Sequence, residues 1–200
     1  MKIKFLTISS LFLLNGCQAT APTMKNRISF EMDNKYWPIH SIVYKNNWPE
    51  CGNLSGTPDA IKKQRYITTY SSCKVSPEGY VPQQIIIEYV PWLTYEEQIK
   101  KGYGVPEELR YAQGEAAAKK RLAIMAAQQE SISKLPITAW KKIVLTPPKE
   151  VEKYKYQIPE GKGNRSRGKN IHYIISLNPD GSYDIETKLY WVSKYQEKWN

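Results

Sequence analysis

From Ile28 to Met32 apolar side chains fall at every second position, with Ser29 and Glu31 between them, the period of a strand that is wet on one face. Gln64 to Val75 repeats the alternation, Tyr66, Thr68, Tyr70 and Ser72 interleaving with Ile67 and Thr69. Between them Tyr36 to Tyr44 holds Trp37, Ile39, Ile42 and Val43, and Pro38 places the start of that stretch at a sheet edge or bulge. Gln84 to Val90 contains Ile85, Ile86 and Ile87 in a row, which predicts a strand covered on both faces. Strand composition returns over Ile137 to Leu145, stopped by Pro147 and Pro148. The last unit predicts a hairpin, Ile171–Leu177 and Ser182–Val192 around Asn178-Pro179-Asp180-Gly181, with proline and glycine where a type I turn and bulge want them.

Helical signals occupy the middle. Thr94-Tyr95-Glu96-Glu97 has the spacing of a capping box and opens a short helix that ends at Gly102 or Gly104. Pro106-Glu107-Glu108 opens another turn of helix. Glu115 to Lys134 is the main helix, with alanines at 116, 117, 118, 123, 126 and 127 and a predicted apolar stripe of Ala118, Leu122, Met125 and Ile132; Pro136 ends it. Asn46–Asp59 and Ser76-Pro77-Glu78-Gly79 read as loop and turn, and Lys149–Asn170 as a solvated loop centred on Gly161–Asn170. Four strands, helical segments, then three strands predict an α+β fold: an antiparallel sheet or sandwich with the Ala-rich helix on one face.

The N-terminus changes the picture by fixing a compartment. Met1-Lys2-Ile3-Lys4 is a basic head, and the apolar run Phe5–Leu14 is shorter than the ~20 residues a bilayer requires. It reads as a signal peptide over 1–16. Leu14-Asn15-Gly16-Cys17 has the form of a bacterial lipobox, with Cys17 as the acylated mature N-terminus. Residues 17–25 read as a tether and 26–200 as one α+β domain. Gln18, in place of the aspartate that by resemblance would retain the chain at the inner membrane, points to the periplasmic face of the outer membrane of a Gram-negative cell.

Charge and cysteines follow from that placement. Of 29 basic residues Lys2 and Lys4 leave with the signal, so 27 stand against 19 acidic ones and the partners expected are anionic. Nucleic acid is excluded by the compartment. Cys51 and Cys73 remain as a pair, and an oxidising periplasm favours a disulfide between them. The competing metal site, drawing on His40 or His172, lacks close ligand spacing, so no metal and no cofactor is expected.

Catalytic signals are thin. Ser55 misses the nucleophile elbow because Asn53 and Thr57 stand where glycines are needed. His40 and His172 sit in strand-like runs and read as structural, and Glu96-Glu97 and Glu107-Glu108 fall at helix starts, where carboxylates suit the dipole. The chain reads as a binding protein rather than an enzyme. Its 15 Tyr and 6 Trp supply interface stock in the loops and near the C-terminus: Trp48, Tyr80, Trp191, Tyr195 and Trp199. The partner-binding residues expected are Trp48, Asn53, Tyr80, Lys162, Arg165, Arg167 and Lys169.

Ile39-His40-Ser41-Ile42-Val43-Tyr44, then Trp48 and Cys51-Gly52-Asn53, then Cys73-Lys74-Val75-Ser76-Pro77 and a strand closing on Trp92, resemble a family of proteobacterial lipoproteins. Pro147-Pro148 and Ile171-His172-Tyr173 echo the family's later segments. Its members are often encoded beside type VI secretion lipase effectors and are regarded as their immunity proteins. The resemblance implies an inhibitor of a cognate toxin, a phospholipase by that association, held on the membrane by acyl chains. The alternative is a structural or assembly lipoprotein that binds an anionic polymer or protein partner of the envelope.

Overall fold

The computed structural model describes residues 24–33, 40–45, 47, 51, 65–68, 72–178, 180 and 182–192. The predicted tether start, Cys17, Trp48, Asn53, Tyr195 and Trp199 lie outside the described residues. Among the described residues eight strands form two four-stranded sheets: β1 (Asn26–Asp33), β2 (His40–Lys45), β3 (Tyr66–Ile67), β4 (Ser72–Lys74), β5 (Ile85–Thr94), β6 (Lys141–Leu145), β7 (Lys169–Leu177) and β8 (Tyr183–Trp191). The first sheet runs β4-β1-β7-β8 and the second β3-β2-β5-β6. Among the described residues there are four α-helices: α1 (Tyr95–Lys100), α2 (Glu107–Tyr111), α3 (Glu115–Ser133) and α4 (Pro147–Lys153).

The alternation in β1 does what its period requires. Ile28, Phe30 and Met32 face the second sheet and share one core with Ile171, Tyr173 and Ile175 of β7, Ile42 and Tyr44 of β2, Ile85 and Ile87 of β5 and Ile143 of β6. On the other side of the second sheet Val43, Val90 and Trp92 pack beneath Ile132 of α3, so the molecule has three layers on that side. Thr94 caps α1 as its spacing predicts, its hydroxyl accepting from the Glu97 N–H while the Glu97 carboxylate accepts from the Thr94 N–H. Cys51 and Cys73 are joined, with Cα atoms 5.6 Å apart.

Several expectations are corrected. The sheets are not purely antiparallel, because β1 pairs with β7 in parallel from Asn26↔Lys169 to Asp33↔Ser176. Side-chain period carries no information about strand direction, and these two strands are separated by most of the chain. Gln64–Val75 is not one strand: β3 pairs with β2 in the second sheet and β4 with β1 in the first. Ile137–Ala139 is a 3-10 turn and the strand starts only at Lys141. Pro147 and Pro148 open α4 rather than merely closing β6, since proline at the first helical positions forfeits no intrahelical bond.

The main helix is placed as expected but rotated. Ala117 and Ile132 are its buried residues, while Leu122 is 65% exposed and Met125 is also exposed. Gln129 fixes the helix: its amide accepts from the Tyr66 N–H at 3.0 Å and donates to the Tyr66 carbonyl at 2.9 Å. Gln128 likewise donates to the Tyr103 carbonyl, and Arg121 to those of Leu109 and Ala112. Polar contacts to loop backbone thus outweigh the weak apolar stripe in setting the helix face.

Two core phenols make the fold sensitive to alkali. Burial, then the neighbouring Tyr89, raises the pKa of Tyr44; burial, then Glu150 and Tyr154, raises that of Tyr173, whose hydroxyl has no hydrogen-bond partner among the described residues. A raised folded-state pKa favours the neutral phenol, so this stability is complete below the ordinary value near 10 and is lost as pH climbs toward the folded values. In an alkaline titration followed by phenolate absorbance, Tyr44 and Tyr173 are expected to ionise only together with the loss of β-sheet circular dichroism. Ionisation of every phenol near pH 10 with the sheet intact would contradict it.

Candidate functional site

Strand direction gathers the loops. β4 ends and β5 begins at the same end of the sandwich, joined by residues 76–84, and β6 ends and β7 begins there, joined by residues 146–168. β1 starts at that end too, the Lys169 N–H donating to the Lys25 carbonyl at 2.9 Å. Tyr80, Lys162, Arg165 and Arg167 are all exposed at this end. Lys25, Arg27 and Lys74 join them from β1 and β4. The acidic residues here are Glu78, 3.4 Å from Arg27, Glu160, and Glu150 and Glu152 of the long connection, which lie 3.4 Å from Lys153 and 3.3 Å from Lys155. Burial lowers the Lys74 pKa, and the nearby Arg27 charge lowers it further, the signature of like charges held together.

The long connection is pinned in place by local chemistry rather than left as the solvated loop its composition suggests. Asn164 caps a 3-10 turn at Arg165–Arg167, its side chain accepting from the Ser166 N–H at 2.9 Å. Gly168 follows with φ +83°, and a Cβ there would overlap the Lys25 carbonyl, so the approach to β1 requires glycine. Gly163 lies flat on the Trp191 indole, whose Nε1 donates to the Gly161 carbonyl at 3.0 Å. Trp191 is therefore buried, not an interface residue.

Lys169 is also corrected. It is 1% exposed, because the parity of β7 puts it on the inward face with Ile171 and Tyr173. Its ammonium donates to the carbonyls of Tyr154, Lys155 and Gln157 in the turn after α4, the last two at 3.0 and 3.2 Å. It closes the end of the core.

On the opposite face of the first sheet lies the chemistry that sequence reading missed. Ser29 Oγ is 2.8 Å from His172 Nδ1 and accepts from Asn170 Nδ2 at 2.9 Å, and His172 Nε2 is 3.3 Å from Glu31 Oε2. Ser29 and Glu31 are the polar positions of the β1 alternation and His172 lies on the corresponding face of β7, but only the parallel register, Ser29↔His172, brings them together. Serine, imidazole and carboxylate stand in the order of a nucleophile, its base and an orienting acid. A nucleophile must nevertheless reach a substrate carbonyl beside waiting N–H donors. Ser29 is 0% exposed and its oxygen is already engaged by two neighbours. This arrangement locks β1 to β7. His40 sits exposed in the second sheet, apart from His172, and among the described residues no group of three His, Cys, Asp or Glu side chains could hold a metal.

A second exposed feature lies on the outer face of the second sheet, beside α3. Trp140 stacks on Tyr66 with ring centroids 5.5 Å apart, and Lys45 Nζ lies 4.8 Å from the Trp140 ring. Lys45 also pairs with Glu88 at 2.7 Å, and Asn47 donates to the same carboxylate. The register Ile86↔Val144 and Glu88↔Lys142 continues the face to the exposed Val144 at the sheet edge, and Ile137, whose carbonyl accepts from the Trp140 N–H, is 87% exposed. Tyr66 and Trp140 are both half-buried.

Compared with known proteins, the chain matches no family model, no curated relative and no solved structure.

Proposed function

We propose that the chain is a lipid-anchored periplasmic immunity protein of the outer membrane that binds and blocks a toxic phospholipase delivered by type VI secretion. The lipobox at Cys17 and the family resemblance motivate the placement and the partner class. The observation that supports a binding role is the Trp140–Tyr66–Lys45 surface on a disulfide-stapled frame. Aromatic rings braced by a neighbour and a cation present large contact area with little entropy left to lose on association. Inhibition is steric: the toxin, held on this face, is kept from its substrate or from docking on the membrane.

The test is co-purification with the product of an adjacent lipase gene, followed by titration of that enzyme's activity. Trp140→Ala is expected to weaken toxin binding about thirtyfold, the effect of losing one interface hot spot of about 2 kcal/mol. A toxin that stays active and unbound at micromolar concentrations of this protein overturns the proposal.

A further inference from the structure

We infer that the basic end of the sandwich is a docking surface for anionic phospholipid headgroups. Lys25, Lys162, Arg165 and Arg167 are exposed there, with Arg27 and Lys74 half-buried behind them; of the four acidic residues on the two connections Glu78 pairs with Arg27, Glu150 with Lys153 and Glu152 with Lys155, and Glu160 is the fourth. Charge of one sign spread over an end of a domain complements a plane of phosphates. The Trp140 face is different, since its lysines alternate with Glu88 as at a protein contact.

Apolar and aromatic groups at the same end fit the headgroup layer. Tyr156 is 82% exposed and Ile158 51% exposed, in the turn whose carbonyls Lys169 holds from inside. Tyr80 is exposed on the other connection. A rigid turn that projects a tyrosine and an isoleucine between basic residues is suited to the boundary of headgroup and acyl chain, where amphipathic rings reside. The backbone is fixed and only the side chains remain to be ordered on binding.

Met24 and Lys25, the first described residues, lie at this end. On the anchored reading, on which this proximity rests, the eight residues from Cys17 to Met24 reach at most about 28 Å, so the basic end is the part of the domain held against the bilayer. The charge argument is independent of the anchor. It requires that a chain without acyl groups still bind lipid.

The experiment uses the full chain carrying Cys17→Ser, purified with its disulfide intact, in flotation with vesicles of phosphatidylcholine alone or mixed with phosphatidylglycerol. Binding to the phosphatidylglycerol vesicles, weakening as salt is raised, is expected. Combining Lys162→Gln, Arg165→Gln and Arg167→Gln is expected to weaken it about a hundredfold. Tyr156→Ser is expected to weaken it several-fold while leaving the melting temperature unchanged. Equal binding to both kinds of vesicle, no binding to either, or undiminished binding by the triple variant overturns the inference. Toxin affinity measured without lipid separates the two proposals: a triple variant that loses the toxin but keeps the vesicles assigns this end to the protein partner and overturns the lipid assignment. Loss of toxin by Trp140→Ala with vesicle binding intact supports both.

Discussion

Replacing Cys51 and Cys73 together by alanine lowers the stability of the domain by about 3.4 kcal/mol. The bond closes a loop of 22 residues' separation, and the chain-entropy relation assigns about that much to the freedom the unfolded chain regains. Position matters as much as loop length. Cys73 is buried in β4, in the first sheet, whereas the closed loop contains β3, which belongs to the second. β3 and β4 contribute two and three residues to their sheets, few ladder bonds with which to hold the crossing by themselves. The cross-link supplies what short strands lack. Loss of the buried sulfur from a packed core adds to the effect in the same direction. For a chain of this size the melting temperature is expected to fall by about 10 °C. Chemical denaturation of the paired variant beside the parent measures it, and an unchanged midpoint would refute the assignment.

Much of the fold was legible because local physics specified it. β1, the α1 capping box, the extent of α3 and the β7–β8 hairpin each follow from a period or cap that no distant contact overrides. What was hidden is what depends on partners far along the chain. The parallel union of β1 with β7 leaves no mark on either strand, and the Ser29–His172–Glu31 arrangement was hidden with it. The face of α3 was misread because the helix is held through Gln128, Gln129 and Arg121, whose value lies in the carbonyls they meet. Lys169 carries the same lesson. In sequence it ends the basic run that starts at Lys162, and only its parity in β7 separates it from the exposed cations before it.

Lys169→Met should therefore behave as a core mutation and not as a surface one. Methionine keeps the stem's length and apolar volume but removes the three donors. The Tyr154 carbonyl retains the Gln157 N–H at 3.1 Å, while those of Lys155 and Gln157 lose the ammonium. Unsatisfied carbonyls cost about 1–3 kcal/mol each where water cannot replace the donor. Against this stands the relief of leaving no buried charge, which favours methionine. Three charge-assisted contacts to a turn that closes the core outweigh that relief, and a net loss of about 3 kcal/mol is expected, roughly 9 °C in melting temperature. The pH dependence provides an independent check. Burial lowers the Lys169 pKa, so the folded state sheds this proton first. Relief from the cost of the buried charge is complete above the ordinary lysine value near 10.4 and is lost as pH falls through the lowered folded value, while the donated hydrogen bonds hold the turn at neutral pH. The parent gains stability with rising pH in that window, and the methionine variant lacks this increment. Equal stability of parent and variant at neutral pH would show that the ammonium merely fills space; a loss accompanied by release of Tyr156 and Ile158 from their fixed turn, read as faster proteolysis between α4 and β7, would show that one buried lysine holds the basic end in shape.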